Sequence, residues 1–190
     1  MRQFTHVCYF DPETTAKIRA IQKNLFDLTG SRTSFEVWRP HLTVGAEIYI
    51  EDDKLQQYYL DLQKIADQFG KMKVQLGGYS FRDNWTGLKP PGFNHFAVFL
   101  DVAKNEELEL LAAKIKPIVS PFPKYFDIGN PYKPRVTLAF RDLSEVGLLK
   151  AKNFLADKPL AREGLFDGFS IAEGSYQSKY SEVKRFKFHS

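Results

Sequence analysis

Two short stretches of this 190-residue chain carry side chains suited to gripping and protonating a phosphate. The first is Trp38-Arg39-Pro40-His41-Leu42-Thr43-Val44. The second is Tyr132-Lys133-Pro134-Arg135-Val136-Thr137-Leu138. Position by position they read aromatic, basic, Pro, His or Arg, aliphatic, Thr, aliphatic, and a small residue follows each, Gly45 and Ala139. Along an extended strand successive side chains face opposite ways. Leu42 and Val44 then share an apolar face, as do Val136 and Leu138. His41, Thr43 and Gly45 share the other face, as do Arg135, Thr137 and Ala139. Histidine moves protons near neutral pH, arginine brings a forked positive donor, and threonine donates without charge. If the two polar faces meet, they build a site for one anion. A lone His-x-Thr is a common tripeptide. Its return in phase, from position 41 to position 135, is what carries information.

Those strands need a scaffold, and the flanking sequence repeats as well. Val7-Cys8-Tyr9-Phe10-Asp11 resembles Ala97-Val98-Phe99-Leu100-Asp101, two apolar strands each ending in an Asp suited to cap a helix. In the first half Asp11 and Pro12 open a helix with Ile18, Ile21, Leu25 and Leu28 on one face, and Gly30 stops it. In the second, Leu108, Leu111 and Ile115 form the stripe, and Pro117 and Pro121 close the segment. A further helix follows each motif. One lies near 52–69, with Leu55, Leu62, Ile65 and Phe69 and then Gly70. The other lies near 143–156, with Val146, Leu149 and Phe154. Strand patterns then run from Lys73 to Phe81, from Phe166 to Ile171 and from Glu182 to Phe188. The reading is β-α-β-α-β, twice: an α+β protein of two pseudo-symmetric lobes in a single bilobal unit. Lobe 1 covers about 1–82, a linker with Trp85 and Pro90-Pro91-Gly92 about 83–93, and lobe 2 about 94–190.

With the repeat in view, Pro40–Val44 and Pro134–Leu138 resemble the twin His-x-Thr motifs of the 2H phosphoesterase superfamily, which includes the 2′-5′ RNA ligase-like proteins and RNA cyclic phosphodiesterases. The resemblance spans the chain. It implies mainly antiparallel sheets facing a central cleft with helices outside, and chemistry on 2′,3′-cyclic or 2′-5′ phosphodiesters. It casts His41 as general acid or base and Thr43 and Thr137 as phosphate-oxygen ligands. Arg135 stands where the second histidine belongs. Opening a cyclic phosphate with water needs a base for the water and an acid for the departing sugar oxygen. Arginine stays protonated and serves as neither. The expectation is therefore retained phosphate binding with weak or absent hydrolysis.

Other residues can bear on that site. His95, with Ala97 and Phe99, alternates toward the cleft and can supply the missing proton, although a local hydrogen bond at a strand start is the plainer role. Trp38 and Tyr132 beside the motifs, and Trp85 in the linker, can stack on a base or simply pack. Arg39 and Lys133 can track a nucleic-acid backbone or sit in solvent. His6 alternates with Cys8 and Phe10 into the core, and His189 near the C-terminus is solvated. Four scattered histidines and one cysteine make no metal motif, and no cofactor is expected.

Composition bounds the rest. The chain is 43% hydrophobic and 15% aromatic, which argues against disorder. Twenty-seven Lys and Arg against 23 Asp and Glu give a mild +4, compatible with an anionic ligand, with no charge block that reads as a DNA-binding tail. No apolar run reaches the roughly 20 residues of a membrane helix. The N-terminus enters a strand pattern without a signal-peptide core, and Cys8 can form no internal disulfide. A cytoplasmic monomer is expected, with a nucleotide or an RNA bearing a terminal or cyclic phosphate as partner. The competing readings are a phosphodiesterase with an unorthodox partner for His41, a non-catalytic binder of RNA ends or nucleotides, and a structural or partner-binding relative.

Overall fold

A computed structural model describes residues 1–84, 94–128, 132–158, 160–174 and 178–189. Trp85 and the Pro-Pro-Gly linker lie outside the described residues. The elements run β1 (Arg2–Tyr9), α1 (Pro12–Thr29), α2 (Thr33–Glu36), β2 (His41–Ile50), α3 (Leu55–Ala66), β3 (Met72–Arg82), β4 (Ala97–Val102), α4 (Glu106–Val119), β5 (Lys124–Phe126), β6 (Arg135–Phe140), α5 (Glu145–Ala156), β7 (Arg162–Phe166), β8 (Gly168–Glu173) and β9 (Ser181–Lys187).

Two antiparallel sheets result, ordered β5-β2-β1-β8-β9 and β6-β4-β3-β7. The repeat is visible in their centres: β2-β1-β8 in one sheet matches β6-β4-β3 in the other. The sequence halves exchange strands. β3, from the first half, pairs with β4 and β7, while β8 returns to flank β1 and carries β9 on its outer edge. A cut at residue 82 therefore leaves each sheet with strands from both sides of it. Helices cross in the same way: α1 packs with α5 on the β6-β4-β3-β7 sheet, and α4 packs with α3 against the other. This exchange locks the two layers around one core that includes Phe4, Ile18, Leu42, Leu100, Leu111, Val136 and Phe169.

Local signals explain the helices. Asp11 accepts the amide of Thr14 as N-cap of α1, Pro12 sits in its first turn, and Gly30 ends it in the left-handed region at φ 77°. In the second half the cap is Asn105, which accepts the Leu108 amide, and Asp101 stays inside β4. The strand equivalence is correspondingly two residues from the sequence alignment. Val7 lies opposite Thr43 and Phe99 lies opposite Thr137. Pro117 does not close α4, which continues to Val119 because Ile115 and Val119 are both buried. On α5 the buried face is Leu148, Ala151 and Leu155; Val146 and Leu149, expected inward, are 65% and 60% exposed. Leu28 is exposed on α1.

One shared irregularity matters for the site. Between His6 and Val7 the partners on β2 step from Gly45 to Thr43, so Val44 is extra. Between Val98 and Phe99 the partners on β6 step from Ala139 to Thr137, so Leu138 is extra. Each motif strand thus carries a bulge at the aliphatic residue after its Thr, and a bulge re-aims the residues beyond it. Gly45 accordingly faces α4 and not the cleft: a Cβ there would lie 2.8 Å from Ile115 and 2.9 Å from His6. None of the described helices is long and apolar enough to cross a membrane.

Candidate functional site

The two motif strands deliver their polar faces to one cavity of about 170 Å³, lined by Trp38, Arg39, His41 and Thr43 from one side and Tyr132, Lys133, Arg135 and Thr137 from the other. A water needs roughly 10–15 Å³ of such space, so the cavity has room for a group much larger than a single water. His95, expected to face the cleft, does not line the cavity: it lies exposed in a bend before β4, where strand alternation has not yet begun. The apolar parity beneath holds, with Leu42, Val44, Val136 and Leu138 all buried.

The His41 ring is held in one orientation. Its Nδ1 lies 2.8 Å from the Arg39 carbonyl, and because a carbonyl only accepts, Nδ1 carries the hydrogen. Nε2 of the neutral ring keeps its lone pair. Desolvation pushes the imidazole pKa down to about 4, against the pull of that carbonyl. The ring is thus a neutral base at physiological pH in the ligand-free protein. Tyr9, opposite His41 across the β1–β2 ladder, meets it edge-on at 6.3 Å, and Trp38 covers it at 4.4 Å.

Arg135 occupies the matching place on β6 in different surroundings. Its cross-strand partner is Asp101, and its guanidinium lies 4.3 Å over the Phe99 ring. Burial and the nearby Arg82 lower its pKa, and Asp101 opposes them. A guanidinium remains a cation even so. The side built on β6 therefore presents a fixed cation where β2 presents an imidazole.

The aromatic and basic candidates divide. Trp38 is spent on packing: its other face stacks on Tyr180 at 3.4 Å, within a small cluster with Val7, Tyr9 and Ala172. Tyr132 donates its hydroxyl to the Thr43 carbonyl at 2.8 Å, tying the β6 approach to β2, and burial raises its pKa. Arg39 donates to the Phe10 carbonyl and lies over Tyr9. Lys133 is exposed at the cavity edge.

Glu47 and Arg141 also line the cavity and were not among the sequence candidates. They stand in register with each other in the repeat, two positions past Gly45 and Ala139, so extending the comparison by two residues finds them. Glu47 is buried and accepts Gln3 Nε2 at 2.6 Å and Tyr180 Oη at 3.0 Å. Desolvation raises its pKa; those hydrogen bonds and the charge of Arg141 work the other way. Arg141 is the one described non-glycine residue with positive φ, at 70°. Backbone strain of this kind costs on the order of 1–3 kcal/mol and gathers at functional sites. Among the described residues no group of three His, Cys, Asp or Glu comes together to hold a metal.

No family model matches the chain, and no curated protein matches it in sequence. Solved structures do match in three dimensions. TT0787 of Thermus thermophilus superposes with a TM-score of 0.65 at 16% identity, over 98% of this chain and 97% of that one. Escherichia coli LigT complexed with 3′-AMP gives 0.61 at 15% identity, over 100% and 99%. The LigT complex with phosphate gives 0.61 at 14%, over 100% and 98%. At these identities the likeness establishes the fold: this chain has the two-sheet architecture of LigT-like phosphoesterases along its full length.

Proposed function

We propose that the chain is a 2H-type phosphoesterase relative that binds the phosphate of a nucleotide or RNA end between its two motif strands and hydrolyses cyclic phosphodiesters slowly. The observation that carries this reading is the asymmetry of one shared cavity. His41, a neutral base with its Nδ1 hydrogen committed to Arg39, faces in from β2, and Arg135, a fixed cation, from β6. Thr43 and Thr137 add one neutral hydroxyl each. Arg135 and the threonines hold the non-bridging oxygens, where negative charge builds during attack at phosphorus. His41 Nε2 takes the proton from the attacking water. The departing 2′ oxygen meets no second imidazole, and the absence of one general acid costs roughly 10²–10⁴ in rate. The fold neighbours lend weight, since the LigT complexes contain 3′-AMP and phosphate.

The test pairs binding with turnover. Purified protein is heated with and without a nucleoside 2′,3′-cyclic phosphate, and the ligand is then analysed for its ring-opened product. Thermal stabilisation with slow product formation is expected. Stabilisation without product leaves a pure binder, which Arg135 makes the second reading. A lack of stabilisation by any phosphate ligand refutes both.

A further inference from the structure

Beyond the motif residues the same cavity has a floor of different chemistry. His41 lies opposite Tyr9 on β1, and Thr5, which also lines the cavity, lies four residues back along that strand. At the rise of an extended strand this is about 13 Å along β1. Thr5, Gln22, Glu47 and Arg141 all line the cavity, and the first three are 4%, 2% and 6% exposed. They are not a packed apolar floor. Gln22 donates Nε2 to the Thr137 carbonyl at 2.9 Å, and its buried Oε1 is an acceptor with no partner among the described residues. The bonds that Glu47 accepts from Gln3 and Tyr180 both arrive at Oε1, and the Thr5 hydroxyl and the Arg141 charge bear on the same carboxylate. A buried acceptor beside open space calls for a donor from outside.

The balance of donors and acceptors narrows what that donor belongs to. A second phosphate does not fit, because the Glu47 carboxylate and Gln22 Oε1 both offer lone pairs to it. The floor suits a neutral group that presents hydrogens to Glu47 and Gln22 and an acceptor to the five-donor guanidinium of Arg141. Among nucleobases, guanine carries two adjacent donors, N1–H and the 2-amino group, beside the O6 acceptor on one edge. Adenine, cytosine and uracil lack that adjacent donor pair. The strained backbone of Arg141 is consistent with a side chain held to a ligand's geometry.

We infer that the Gln22–Glu47–Arg141 floor is a nucleobase subsite that selects guanine. This rests on the phosphate-binding reading above and adds to it which nucleotide the cleft takes. Affinities of the wild-type protein for guanosine 3′-monophosphate, adenosine 3′-monophosphate and inorganic phosphate are measured by calorimetry under one buffer and salt. The guanine nucleotide is expected to bind about tenfold or more tighter than the adenine one, the scale of a bidentate contact. In Glu47→Gln, whose amide offers one acceptor where the carboxylate offers two, that ratio is expected to fall toward one. Equal binding of the two nucleotides overturns the subsite, as does a guanine preference that survives in the variant. If inorganic phosphate binds and neither nucleotide binds better, the subsite is wrong and the phosphate site stands. If none of the three binds, the functional reading itself fails.

Discussion

Replacing Arg135 with His asks whether one missing proton carrier limits this site. An imidazole at position 135 would stand across from Asp101, as His41 stands across from Tyr9. The Asp101 carboxylate favours the charged ring there, while burial and Arg82 oppose it, and His41 has no such carboxylate among the causes of its lowered pKa. Below its own pKa the new imidazole can hand a proton to the departing oxygen. One lobe would then hold a base and the other an acid, which is the division that opening a cyclic phosphate demands. The gain from a positioned general acid is roughly 10²–10⁴ in kcat. A cost accompanies it. The guanidinium contributes a charged hydrogen bond of about 1.5–3 kcal/mol, so KM should rise about ten- to a hundredfold. Initial rates on a 2′,3′-cyclic nucleotide from about pH 4 to 9 separate the two effects. The expected result is a higher kcat, a higher KM, and a new limb on the alkaline side where the added imidazole loses its proton. A fall in kcat would mean that Arg135 does chemistry that charge stabilisation does not describe, and the division of labour between the two strands would be wrong.

Three other outcomes are accessible to folding and binding measurements. His6 is fully buried, with its ring between the Ala46 carbonyl and the Tyr58 hydroxyl, and desolvation lowers its pKa to about 4. The unfolded state therefore binds a proton below about pH 6.5 that the folded state refuses, and stability should drop as pH falls from 6.5 through 4 by on the order of 3 kcal/mol. Urea titrations of His6→Gln should show a flatter pH dependence, and an unchanged slope refutes this origin. Gly45→Ala places a methyl 2.8 Å from Ile115 and should cost about 1–3 kcal/mol in chemical denaturation, with a neutral effect contradicting the bulge geometry. Tyr132→Phe removes the hydroxyl from the Thr43 carbonyl and should cost about 1 kcal/mol of stability. Its phosphate affinity should also weaken, since that bond ties the two motif approaches together; full affinity would make Tyr132 a packing residue alone.

Much of this protein can be read from its residues in order. The pairing of Pro40–Val44 with Pro134–Leu138 identifies the repeat, the two facing strands and the four side chains at their shared cavity, because period-two alternation and hydrophobic burial are properties of local sequence. Asp11, Pro12 and Gly30 mark α1 for the same reason: caps act within a turn of the residues that make them. What the tertiary structure alone decided is of longer range. Strand exchange between the halves, with β3 leaving the first and β8 returning to it, depends on which apolar faces find each other across the whole chain. The bulges at Val44 and Leu138 need a partner strand before they exist; the one at Val44 turns Gly45 to a helix, and a second register shift between Phe4 and His6 restores the alternation before Glu47. His95 fell outside the site because its segment bends before β4 begins. Trp38 became packing for His41 because Tyr180, far along the chain, took its other face. Each of these outcomes was set by contacts between segments remote in sequence, and no local pattern encodes such contacts.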